Sequence, residues 1–235
     1  MNLSRRETLI GSLAFAGFGL AATPYAQTGR RPDDWRFFSP EEARFVEAAV
    51  ERLIPGEPGS PGALEAGCAQ FIDWQLAGPF GQGDRLFLGG PHKPGLPQQG
   101  YQLGLNPAEL YRVSIRSLRA QGVDLAARPP EQRDADLTRI ERGELQTEGF
   151  SSAIFFETLL TNTIEGFFAD PAYGGNRDMA GWRLVGFPGA YAGYLDIYTQ
   201  HGVAFTREPV AMSDPTGHGH GHADPQPTGT PPRGR

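Results

Sequence analysis

The segment from Ser151 to Ala169 constrains this chain more than any other. Wound as a helix, it places Ile154, Phe155, Phe156, Leu159, Leu160, Ile164, Phe167 and Phe168 on nearly every side. A helix that is apolar all round has to be covered all round. Two solutions exist. The segment is the central helix of a helical domain, or it buries part of its girth in another subunit. The first is the simpler, and it predicts a fold built around this one element.

The flanking sequence supplies helices to cover it. Ser39-Pro40-Glu41-Glu42 combines an N-cap, a proline suited to the first helical position and acids for the first turn. After it, Phe45, Val46, Ala49, Val50 and Leu53 share one face, until Pro55-Gly56. A second helix is predicted over Ala63–Leu76, with Leu64, Cys68, Phe71, Ile72 and Leu76 as its stripe; Asp73 and Trp74 on it are read as structural. Asn106-Pro107-Ala108-Glu109 opens another, with Glu109 at the reciprocal capping position and Leu110, Tyr111, Ile115 and Leu118 facing inward. Pro130–Arg142 is highly charged, and its apolar anchors are Leu137 and Ile140, so it should lie at the periphery. No stretch reads as a sheet of several strands. The predicted class is mainly α: a single irregular helical domain with long Gly/Pro-rich loops and a disordered C-terminal tail.

Three regions follow from these patterns. Residues 1–26 form a leader. Ser4-Arg5-Arg6-Glu7-Thr8-Leu9 precedes a weakly apolar, Gly- and Ala-rich run from Leu9 to Ala22, the pattern of a twin-arginine export signal, with cleavage placed after Ala26 although Pro24 fits the small-residue rule poorly, and an uncleaved N-terminal anchor as the alternative. That run is too short to span a bilayer, which takes roughly 20 apolar residues. Gly17 to Ala22 formally matches a dinucleotide fingerprint, but it sits in the leader with no strand before it. Residues 27–208 form the domain. Residues 209–235, rich in Pro, Gly and His, cannot bury enough apolar surface to order themselves.

The twin-arginine route carries folded cargo, usually a chain that holds a cofactor or is bound to a partner that does. The rest of the chain carries no cofactor motif, and that mismatch points to a partner. Cys68 is the single cysteine, so an internal disulfide and a Cys-x-x-Cys-His haem site are excluded; its place on an apolar face predicts burial. The formal net charge is −6, with Lys93 as the single lysine, and no basic patch supports nucleic-acid binding.

Candidate chemistry is sparse. His218, His220 and His222 in the tail could hold a metal ion weakly, but no ligand at fixed spacing accompanies them. His92 and His201 could each pair with a carboxylate, though neither has a nucleophile in a recognisable setting. Glu157 and Glu165 share the long helix without the Glu-x-x-His pattern of a di-iron site. More informative is Asp170-Pro171-Ala172-Tyr173-Gly174-Gly175-Asn176, followed by Trp182 and Gly186-Phe187-Pro188-Gly189-Ala190-Tyr191. Its glycines and prolines demand tight turns, and its aromatics have the composition of an interface. Tyr173, Gly174, Gly175, Asn176, Trp182, Phe187, Pro188 and Tyr191 are therefore partner-interface candidates. Phe87 and Tyr101 join them from the Gly/Pro-rich stretch 77–105, a loop too long and too apolar to lie on nothing.

Four features, in order, carry a resemblance. They are the leader; Leu53-Ile54-Pro55 followed by Pro61-Gly62-Ala63-Leu64-Glu65-Ala66-Gly67; Phe71-Ile72-Asp73; and Tyr173-Gly174-Gly175-Asn176 with Trp182 and Phe187-Pro188-Gly189. Together the chain resembles the small (gamma) subunit of gluconate 2-dehydrogenase and the small subunits of membrane-linked fructose, sorbitol and glucose dehydrogenases. The resemblance implies a non-catalytic subunit without a cofactor of its own. It implies an FAD-containing large subunit of the glucose-methanol-choline type, which lacks its own signal and depends on this chain for folding and export to the periplasm. A c-type cytochrome subunit, with haem c, often completes such complexes and links them to the membrane. Two other readings remain open. One is an exported metal-dependent enzyme using His92, His201 and carboxylates brought together by the fold. The other is a free periplasmic binding or scaffold protein.

Overall fold

The computed structural model describes residues 35–84, 86–93, 102–190 and 208–212. The Arg5-Arg6 pair, Tyr101, Tyr191, His201 and the tail histidines His218, His220 and His222 lie outside the described residues. Within them the chain forms seven α-helices: α1 (Pro40–Leu53), α2 (Cys68–Ala77), α3 (Pro79–Gln82), α4 (Pro107–Ala120), α5 (Pro130–Glu141), α6 (Ser152–Phe168) and α7 (Ala180–Val185). Short 3-10 turns occupy Leu125–Ala127, Pro171–Tyr173 and Arg177–Met179. Backbone pairing among the described residues is limited to isolated bridges, so the predicted mainly α class holds.

The long apolar helix is the centre. α6 packs against α1, α2, α4, α5 and α7. Phe155, Phe156, Leu159, Leu160 and Phe167 are buried on it, together with Asn162 and Thr163. The two polar residues are satisfied in place: Asn162 donates to the hydroxyl of Tyr111 at 3.0 Å, and Thr163 donates to the Leu159 carbonyl at 2.7 Å. Enclosure is incomplete, however. Glu157, Thr161, Glu165 and Phe168 form an exposed stripe along the helix. Their spacing keeps them on one face, so the polar residues of a mostly apolar sequence mark where cover ends.

The helix starts follow the sequence closely. Ser39 accepts from the Glu42 amide while Glu42 accepts from the Ser39 amide at 2.9 Å, and Asn106 and Glu109 repeat the arrangement at the head of α4. The expected inner faces of α1 and α4 are buried. α5 buries Leu137 and Ile140 together with Asp136, which Arg139 meets at 3.1 Å, while Arg52–Asp134 at 2.9 Å and Arg133–Glu51 at 2.6 Å tie the helix to α1.

α2 departs from expectation. It begins at Cys68, not Ala63, because Gly67 adopts a left-handed conformation with φ 78°. Residues 62–67 make one helical turn, with the Ala66 amide on the Gly62 carbonyl, which Gly67 then closes. A left-handed glycine ends a helix wherever it falls, and the apolar spacing on either side conceals the break.

One buried carboxylate fixes where the chain enters the domain. Asp73, fully buried on α2, accepts the amides of Arg36 at 2.7 Å, Phe37 at 3.0 Å and Phe38 at 2.8 Å. Arg112 on α4 closes the clasp: it stacks over the Phe37 ring, bonds the Phe37 carbonyl at 2.7 Å and bonds Glu42 at 2.8 Å. Replacing Asp73 with Ala leaves three amides unpaired. We expect a loss of about 3 kcal/mol in urea unfolding, charge-assisted bonds being worth about 1.5–3 kcal/mol each before compensation. A loss below about 1 kcal/mol would mean that water replaces the carboxylate.

Candidate partner interface

The turn-rich segment after α6 is built onto the end of that helix. The last carbonyls of a helix have no intrahelical donor. Here side chains from farther along the chain supply donors: Trp182 Nε1 bonds the Phe168 carbonyl at 2.8 Å, and Asn176 Nδ2 bonds the Ala169 carbonyl at 2.8 Å. The Asn176 oxygen then accepts the Gly181 amide at 2.8 Å, and so joins the end of α6 to the start of α7.

Glycines permit the approach. A Cβ on Gly175 would stand 2.2 Å from the Gly166 carbonyl oxygen, and one on Gly181 would stand 2.0 Å from that of Phe167. Between them, Asn176, Asp178 and Met179 all have positive φ. Asn and Asp tolerate this conformation; Met179 does so at a cost. Asp170 locks the base, accepting the Ala172 amide at 2.9 Å and the Met212 amide at 2.8 Å. Residues 209–212, assigned from sequence to the tail, are thus held to the domain, and the Val210 amide also bonds the Pro188 carbonyl at 3.1 Å.

This geometry divides the interface candidates. Gly175, Asn176 and Trp182 are buried within the chain's own fold, so they position the surface and do not present it. Trp182 donates its N–H to the end of α6 and sets its ring against Phe187, whose ring meets it edge-on at 5.2 Å. Gly174 and Pro188 are half-buried. Tyr173 and Phe187, by contrast, are 50% and 47% exposed, and Phe168, Val185 and Met212 are exposed as well. Sequence reasoning missed Phe168 and Met212. Phe168 belongs to a helix that reads as core on every side, and Met212 falls in the stretch read as tail.

An open groove of about 490 Å³ lies beside this surface, lined by Phe71, Gln75, Glu165, Phe168, Ala169, Asp170 and Tyr173. Burial raises the Glu165 carboxyl above its ordinary value. Another apolar surface lies in the Gly/Pro-rich stretch, where Phe87 is 92% exposed beside exposed Phe80 and Leu86.

The alternative chemistry finds less. His92 is exposed, and among the described residues no three His, Cys, Asp or Glu side chains are grouped to hold a metal ion. No helix among them is long and apolar enough to cross a membrane. Cys68 is buried, and burial pushes its thiol up to about 12, so almost no thiolate exists at neutral pH.

Two outcomes follow. Trp182→Ala should cost about 3–5 kcal/mol as a core truncation, and Trp182→Phe about 1 kcal/mol for the lost bond; equal, negligible losses in thermal unfolding would remove Trp182 from the core. Cys68 should react with a disulfide reagent at neutral pH only as fast as the chain unfolds. Rapid labelling of the native protein would contradict its burial.

Neither the curated proteins nor the solved structures compared with the chain gave a match. A family model, gluconate 2-dehydrogenase subunit 3, matches residues 40–189, which run from the first residue of α1 to Gly189 beyond α7. With its architecture in place from the capped start of α1 to the bonded end of α6, the chain belongs to the gluconate 2-dehydrogenase subunit 3 family.

Proposed function

We propose that this chain is a non-catalytic accessory subunit. It binds the FAD-containing large subunit of a periplasmic sugar, polyol or gluconate-type dehydrogenase, helps it fold, and carries it across the membrane by the twin-arginine route. Catalysis belongs to the flavoprotein, and a c-type cytochrome is a natural third member. The observation that carries this reading is the set of exposed apolar side chains around the end of α6, on a chain whose family is that of a subunit. Tyr, Phe and Met are the residues enriched at interfaces. The leader Ser4-Arg5-Arg6 supports the export half of the proposal. It fits a complex that folds before it crosses.

Pull-down of the tagged chain from periplasmic extract, read by absorption, tests the reading. We expect flavin bands near stoichiometric with a co-purifying large chain, and haem bands where a cytochrome is present. A colourless, partner-free and stable monomer would overturn it. Tyr173→Ala should weaken the complex by about 2 kcal/mol, as an interface anchor, with little change in thermal stability because the ring is half-exposed. Arg5→Lys combined with Arg6→Lys should leave both chains in the cytoplasm; export of the flavoprotein regardless would separate it from this leader.

A further inference from the structure

The groove beside Tyr173 is half of a motif that this protein completes elsewhere. At the domain entrance, Arg112 lies over the Phe37 ring at 4.2 Å and bonds the Glu42 carboxylate at 2.8 Å. An aromatic face and a carboxylate there share one guanidinium. At the end of α6 the same two parts stand without the third. Glu165 lines the groove with Phe71, Phe168 and Tyr173, and among the described residues its carboxylate makes no hydrogen bond or ion pair. Phe168 and Tyr173, at 38% and 50% exposure, leave ring surface open.

Resting on the accessory-subunit reading, we infer that this groove receives an Arg or Lys side chain from an apolar segment of the large subunit, with Glu165 as its counter-ion and Phe168 and Tyr173 against its stem. Charge complementarity selects this occupant. A cation gains from a carboxylate and from aromatic faces together, and gains more where water is displaced. Partial burial already raises the Glu165 carboxyl above its ordinary value, so a cation arriving there relieves that cost. The chain's net charge of −6 favours approach by a basic surface. Another copy of this chain carries the same net negative charge and is repelled at long range.

The test uses the purified full chain and the flavoprotein large subunit that co-purifies with it. Glu165→Gln should raise Kd about tenfold, and Glu165→Lys considerably more, the loss falling mainly on the off-rate. Glu131→Gln, on the exposed side of α5, is the charge-matched control and should change nothing. Circular dichroism should find both Glu165 variants folded, since that side chain is only partly buried, on the exposed stripe of α6. A photo-crosslinking residue at Tyr173 should then capture a large-subunit peptide containing Arg or Lys. Unchanged affinity in Glu165→Lys overturns this inference while the accessory-subunit reading stands. So does a cross-link to another copy of this chain or to its own residues 191–207. Failure of the wild-type chain to bind any flavoprotein overturns both.

Discussion

The domain is organised by the need to take α6 out of water. Fully burying one Leu or Phe side chain is worth about 1.5–3 kcal/mol, and α6 presents Phe155, Phe156, Leu159, Leu160 and Phe167 over its length. No single helix can cover that circumference. Five helices share it, and the sequence places them by four devices: reciprocal caps for α1 and α4, a left-handed glycine before α2, two apolar anchors on an otherwise charged α5, and a return over the C-terminal end by α7. Among the polar side chains taken inside, Asn162 is matched to Tyr111 and Asp73 to the incoming backbone.

The end of α6 is where covering and capping meet. Its free carbonyls need donors, and the chain has to come back to deliver them. Trp182 and Asn176 do so, but a backbone packed this tightly against a helix admits only Gly at 175 and 181. The same residues that give the segment its interface-like composition are therefore consumed internally. What is left outside is their margin: Tyr173, Phe168, Phe187 and Met212 stand around a well-fixed base. A rigid support lowers the ordering cost of any contact made there.

Much of this was legible in the sequence, and the failures have physical causes. Capping boxes and prolines at first helical positions are local, and they located the starts of α1 and α4 to the residue. The inner faces followed from periodicity. The break at Gly67 was hidden because apolar spacing continues across it, while a left-handed glycine announces itself only through its backbone angles. The identity of Trp182 was plain but its direction was not. Tryptophan serves cores and interfaces alike, and choosing between them required knowing that the Phe168 carbonyl stood within reach. The groove at Glu165 is a long-range juxtaposition of α2, α6 and a 3-10 turn, which no spacing rule encodes. The resemblance rested on the order of weak motifs, and those among the described residues fall where the backbone turns or two elements touch.

The exposed stripe of α6 reconciles the two readings of its sequence. A helix apolar all round is either a core element or one partly buried in another subunit. In this chain it is the core along most of its girth and open along one line, Glu157, Thr161, Glu165 and Phe168. The polar members keep that line compatible with water, while Phe168, at its end, sits where the apolar surface widens toward Tyr173 and Phe187. Single exposed apolar residues are ordinary on any protein surface, whereas Phe168 and Tyr173 line one groove together. Under the proposed role, the large subunit would cover that group before export and remove an aggregation liability.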